Sequence, residues 1–236
     1  MIQVENLYKK FGKVQVLNQL NLDINDGGIF AILGPNGSGK TTLIKSILGM
    51  VLPDKGSITI GGKSVLKQYR YKDDIGYLPQ IANFPSNLKV SELIKLIKNL
   101  RNKPADDRPL IERFKLQPFL DKKLGNLSGG TKQKVNILLS FMFDNQLIIL
   151  DEPTNGLDPV SVISLKELIY EQKQQGKTIL ITSHIMNFVE EIADEVVFLL
   201  EGQIHFKGTV LQLKMQTGKP TLEHAIAQLL SEENVL

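Results

Sequence analysis

Nine residues, Gly34-Pro35-Asn36-Gly37-Ser38-Gly39-Lys40-Thr41-Thr42, restrict the fold of this chain more than any other stretch. They fit the spacing GxxxxGK[ST] through Gly34, Gly39, Lys40 and Thr41, a loop that cradles phosphate with successive backbone N–H groups. Such a loop works only where a strand runs into a helix, because the positive helix end and its unpaired N–H groups must converge on the anion. The flanks supply that junction. Ile29 to Leu33 is a short apolar, β-rich run, and Leu43, Ile44, Ile47 and Leu48 recur at helical spacing. Glycines are expected in the loop because a Cβ would stand between the backbone and the phosphate. Lys40 is placed to neutralise β- and γ-phosphates, and the Thr41 hydroxyl to ligate Mg²⁺. A chance match in a chain of this length has a probability of roughly 1%, so a glycine-rich turn that binds nothing is the poorer reading.

At 236 residues the chain can bury one sizeable core, with room for an inserted subdomain. A net charge of +3, with the lysines scattered, does not describe a nucleic-acid groove, and none is expected as a partner. The absence of Cys excludes disulfides and cysteine-held metals and suits a reducing compartment. MIQVENLYKK at the N-terminus has no apolar core for a signal peptide. The most apolar stretch, Ile137 to Leu150, is broken by Asp144, Asn145 and Gln146. The chain is therefore expected not to cross a bilayer by itself.

Alternating apolar residues from Met1 to Ile24 predict a β-meander turning at Phe11-Gly12-Lys13 and leading into the loop strand. Further strands are expected at Gly56 to Ile60 and Ile75 to Pro79, with Gln80 just beyond the second. The next sixty-odd residues change character. Val90 to Leu100, with Leu93, Leu96, Ile97 and Leu100 on one face, Pro109 to Leu116 and Thr131 to Phe143 read as three amphipathic helices. After the strand Leu147 to Leu150, helices at Val160 to Gln175 and Ile185 to Ile192 alternate with strands at Thr178 to Thr182 and Glu195 to Leu200. A hairpin strand at Gln203 to Phe206 and a helix from Thr221 to about Ser231 follow. Strands alternating with helices predict an α/β fold, its mainly parallel sheet covered on both faces. The expected organisation is a single domain: residues 1–80 and 146–236 form a core with an antiparallel β subdomain, and residues 81–145 form an inserted helical subdomain.

A phosphate loop alone says only that a nucleotide is bound. Leu147 to Leu150 runs into Asp151-Glu152, and a buried strand ending in two acids delivers one carboxylate rigidly to a metal while the second orients water. The plainer reading is a strand followed by a solvated acidic turn. Leu127-Ser128-Gly129-Gly130 precedes a helix and forms either a second anion cradle or a capped loop. Taken in order along nearly the whole chain, these motifs resemble the ATP-binding subunit of an ABC transporter, a P-loop NTPase of RecA-like fold. LSGGTKQK is similar to the family's signature motif, with Thr131 and Lys134 departing from the more frequent Gln and Arg. The resemblance implies that Gln80 is the Q-loop glutamine, Asp151 the Walker B aspartate and Glu152 the catalytic glutamate. It likewise implies that Asp158 in Gly156-Leu157-Asp158-Pro159 is the D-loop, His184 the H-loop histidine, and Phe11 the aromatic that stacks on adenine. Taken singly, Phe11 could be packing, His184 a surface imidazole and Gln80 an exposed loop residue.

The function this implies is Mg²⁺-dependent ATP hydrolysis coupled to transport, by two copies packed head to tail. Ser128, Gly129 and Gly130 of one copy would then close over the γ-phosphate held by Lys40 of the other. A separate integral membrane permease is implied, with the chain peripheral at the cytoplasmic face of the membrane. The short tail resembles that of ABC-2 type exporter subunits. Two other readings stay open. A related ATPase acting on DNA or ribosomes would carry a long coiled coil or two tandem cassettes, and a P-loop kinase would leave LSGG and the D-loop unexplained.

Overall fold

The computed structural model describes residues 2–66, 68–81 and 83–233, with side chains to residue 231. In chain order the strands are β1 (Ile2–Phe11), β2 (Val14–Ile24), β3 (Gly28–Leu33), β4 (Lys55–Ile60), β5 (Lys63–Ser64), β6 (Ile75–Leu78), β7 (Leu147–Asp151), β8 (Thr178–Thr182), β9 (Glu195–Leu200) and β10 (Gln203–Gly208). The α-helices are α1 (Lys40–Ile47), α2 (Val90–Arg101), α3 (Arg108–Arg113), α4 (Gly129–Phe141), α5 (Pro159–Gln174), α6 (Met186–Ile192), α7 (Val210–Thr217) and α8 (Leu222–Glu233). The described residues fall into two compact units, one of those up to 72 and from 178 onward, the other of those from 73 to 177. The helical segment expected at 81–145 lies inside the second.

In the first unit, β2, β1, β4 and β5 form an antiparallel sheet in that order. Ile2 and Val4 of β1 are buried in the alternation that a one-faced sheet requires, and an irregularity between Val4 and Leu7 brings Leu7 back to the buried side. β3 pairs in parallel with both β8 and β9, and β10 returns antiparallel along β9. All five residues of β8, and Ile29 to Leu33 of β3, are buried, so these strands read as continuous apolar runs rather than alternating ones. Leu43, Ile44, Ile47 and Leu48 are buried, as their spacing predicts. Helix α7 lacked a periodic signal. It is announced instead by a capping box, in which Thr209 Oγ1 accepts from Gln212 N and Gln212 Oε1 from Thr209 N, at 3.1 and 2.8 Å.

In the second unit, β6 and β7 run parallel, Ile75 opposite Leu147 through Leu78 opposite Leu150. The apolar face of α2 differs from the expected one: Val90, Leu93 and Ile94 are buried, whereas Leu96 and Leu100 are 43% and 71% exposed. Only the N-terminal half of α2 is buried through its apolar face. Its C-terminal end is fixed by Arg101, which donates to the Ile75 carbonyl at 2.8 Å and to Asn145 Oδ1 at 3.2 Å. Helix α3 stops at Arg113 rather than Leu116, because Lys115 takes a left-handed conformation, φ 52°.

Candidate nucleotide site

Strand β3 delivers the Gly34 to Thr42 loop into the first turn of α1. The glycines there answer two different demands. A Cβ on Gly34 would run into the Leu199 carbonyl of β9, so close backbone packing by itself already requires glycine at this position. Gly37, φ 84°, has nothing within 4 Å of such a Cβ, and it sits with Asn36 on the exposed crest of the loop. Pro35 braces the crest from below, its carbonyl accepting from Ser38 N at 3.2 Å. Lys40 Nζ donates to the carbonyls of Gly34 and Pro35 at 2.6 and 3.0 Å, which holds the ammonium against the loop. Ser38 is 3% exposed, and its Oγ is buried with no hydrogen-bond partner. A buried hydroxyl is costly to leave unpaired, and a phosphate oxygen is the acceptor that this loop geometry offers it. Gly39 precedes α1 as its N-cap, and Thr41 and Thr42 are half-buried in its first turn, where helix N–H groups lack intrahelical partners.

The parallel register of β3 with β8 ends with Ile32 opposite Thr182. Gly34 and His184 each stand two residues past that pair, so the loop and the exposed His184 share one edge of the sheet. Phe11 ends β1 half exposed, with Lys9 Nζ 5.3 Å from its ring centroid.

The second unit repeats this arrangement. Leu78 lies opposite Leu150, and Gln80 and Glu152 each stand two residues beyond that pair. Asp151 and Glu152 are buried and Gln80 is exposed. Burial and, secondarily, the Asp151 carboxylate push the Tyr77 hydroxyl up to about 12. Glu152 has φ 53°, a conformation that L-residues with long side chains rarely take and that clusters at functional sites. Ser128 caps α4, accepting from Thr131 N at 3.2 Å, with Ser128 and Gly129 exposed. Asp158 caps α5 through Ser161 N at 2.9 Å and Ser161 Oγ at 2.8 Å, and pairs with Lys134 Nζ of α4 at 2.8 Å. The Lys134 ammonium, then the Ser161 donors, hold the Asp158 carboxyl well below the usual carboxylate range. Sequence reasoning missed the Lys134–Asp158 pair, because 24 residues separate its members and no periodicity links them.

The first unit therefore gathers the phosphate loop with His184, and the second gathers Gln80, Asp151 and Glu152, with the signature residues and Asp158 joined through α4. The family model for ABC transporters matches residues 17–155. The lantibiotic transport ATP-binding protein SrtF of Streptococcus pyogenes is 35% identical over 205 residues, covering 86% of this chain and 89% of that protein. Among solved structures, an ATP-binding subunit of an ABC transporter superposes with a TM-score of 0.91 at 30% identity, over 98% of this chain and 99% of the other. The dimeric bacterial ABC transporter cassette MJ0796 does so with a TM-score of 0.79 at 25% identity, over 89% and 98%. With both sets of motif residues standing at strand ends and helix N-termini in this order, the chain belongs to the ABC transporter family, as an ATP-binding subunit that hydrolyses ATP to drive transport.

Proposed function

We propose that two copies of the chain pack head to tail, each holding ATP on its Gly34 to Thr42 loop while Ser128, Gly129 and Gly130 of the other copy close over it. ABC cassettes form dimers, as MJ0796 does, and two anion cradles in one sequence suit that arrangement. Lys40 turns from the loop carbonyls to the β- and γ-phosphates, Ser38 Oγ donates to phosphate, and Phe11 stacks on the adenine. Glu152 takes a proton from the attacking water, with His184 and Gln80 toward the γ-phosphate and Asp158 beside the signature surface. Thr41, Gln80 and Asp151 would hold Mg²⁺ through their oxygens, and the ion would supply charge neutralisation of the phosphates. Among the described residues no group of three or more His, Cys, Asp or Glu could hold a metal. Mg²⁺ needs only one or two carboxylates and fills its shell with waters and phosphate oxygens.

Among the described residues no helix is long and apolar enough to cross a membrane. The transport roles of its relatives imply an integral permease as the path, with this chain at its cytoplasmic face. The direction we favour is export, as in the ABC-2 type subunits the sequence resembles. The observation that carries the catalytic reading is Glu152, buried, held at positive φ and directly after the buried Asp151. Glu152→Gln should keep ATP binding, slow hydrolysis by at least about 100-fold and trap a dimer with ATP. A monomer on size exclusion with ATP, turning over at a near-normal rate, would overturn the assignment.

A further inference from the structure

Two amides are buried on α4, Gln133 at 7% and Asn136 at 3% exposure. Three residues apart, they share one face of the helix. Buried amides persist where they satisfy specific partners, and here each partner is a backbone carbonyl beside a residue of the proposed site. Gln133 Nε2 donates to the Pro153 carbonyl at 2.9 Å, one residue past Glu152. Asn136 Nδ2 donates to the Pro79 carbonyl at 3.1 Å, one residue before Gln80. Proline cannot donate through its own nitrogen, so at these two positions the carbonyl is the main-chain group a neighbouring element can grip.

We infer that Gln133 and Asn136 are positioning residues, through which α4 sets the placement of Glu152 and Gln80 in its own chain; this rests on the roles assigned to those two residues above. From its cap at Ser128, α4 reaches Gln133 after about 7.5 Å and Asn136 after about 12 Å of rise, so all three ride on one rigid rod. Its N-terminus faces the nucleotide of the second copy, while its buried face holds the loops that serve its own. Closure over one ATP thereby shifts the water-activating loop of the opposite site.

The test is a double-mutant cycle on ATP turnover in the full chain. Gln133→Leu, which keeps volume and removes the donor, should lower kcat about 10-fold with ATP affinity unchanged. Placed on Glu152→Gln it should change the residual rate less than about 2-fold, because it acts through the carboxylate already removed. Asn136→Leu should behave likewise against Gln80→Ala. Additive losses in both cycles, or a fall in ATP affinity matching the fall in kcat, would reduce these residues to packing and overturn the inference. Near-normal turnover of Glu152→Gln alone would instead overturn the role of Glu152, so the two failures are separable. Should Gln133→Leu not fold, Gln133→Glu carries the same comparison. Its carboxyl donates to Pro153 only when protonated, so kcat relative to wild type should rise toward acidic pH, and a flat ratio overturns the inference.

Discussion

Glu152 holds a backbone conformation that its residue type disfavours, φ 53°, and does so while buried beside Asp151. The Asp-Glu pair at the end of an apolar strand was legible in the sequence, because strand and acids are contiguous. The backbone strain was not, since it arises from how the chain must leave β7 to begin the turn toward α5, a tertiary demand that no local pattern carries. Two substitutions that both remove the carboxylate measure it. At an ordinary position Ala is more stable than Gly, but at positive φ the Cβ is the source of strain. Glu152→Gly should therefore be more stable than Glu152→Ala by about 1 kcal/mol, read from urea unfolding midpoints, with both variants inactive. Ala more stable than Gly would mean that the loop relaxes and stores no strain. Gly34 shows the same at residue scale: the loop motif marks a required glycine, while the packing against the Leu199 carbonyl that also requires it is visible only in the fold.

Gly129 and Gly130 are adjacent in sequence and opposite in surroundings, a difference set by the elements that meet there. A Cβ on Gly130 would lie 2.6 Å from the Gly156 carbonyl, whereas one on Gly129 meets nothing within 4 Å. Gly130→Ala must push the start of α4 off the Asp158 loop, so both melting temperature and turnover should fall. Gly129→Ala leaves the fold alone, and its melting temperature should match wild type while turnover drops, since only a second copy or its nucleotide would meet the added methyl group. A Gly129→Ala variant with full turnover would remove that surface from the site. Element identity was largely readable here, as strongly periodic or uniformly apolar segments are. Orientation was not: α2 buries Val90, Leu93 and Ile94 rather than the stripe through Leu100, because Arg101 reaches back to Ile75 and anchors the C-terminal end by hydrogen bonds. Helix α7 went unseen because its signal lies in its cap, and Leu213 is its only buried residue.

At the scale of the molecule, the order of motifs along the chain was legible because each motif is a local demand of phosphate or metal chemistry. The packing boundaries at 72/73 and 177/178 were not, since they depend on contacts between segments far apart in sequence. The proposed head-to-tail pairing makes each site shared between chains, and complementation tests it. Lys40→Ala removes the cation that compensates the phosphates, and Ser128→Arg blocks the opposing cradle, so each variant alone should be inactive, every dimer lacking a component at both sites. Mixed in equal amounts they should recover activity, because one site of a mixed dimer collects both defects while the other joins an intact Lys40 to an intact Ser128. Random pairing makes half the dimers mixed, each with one of two sites working, so recovery should approach about a quarter of wild type if the sites act independently. Coupling through α4 lowers that figure, and Gln133→Leu in both partners, by breaking that link, should bring recovery back toward a quarter of the activity of the Gln133→Leu dimer. Dilution is the control, since activity should fall faster than linearly as dimers dissociate. A mixture that stays inactive, together with a covalently tethered mixed dimer that neither turns over nor occludes one ATP, would sink the shared site.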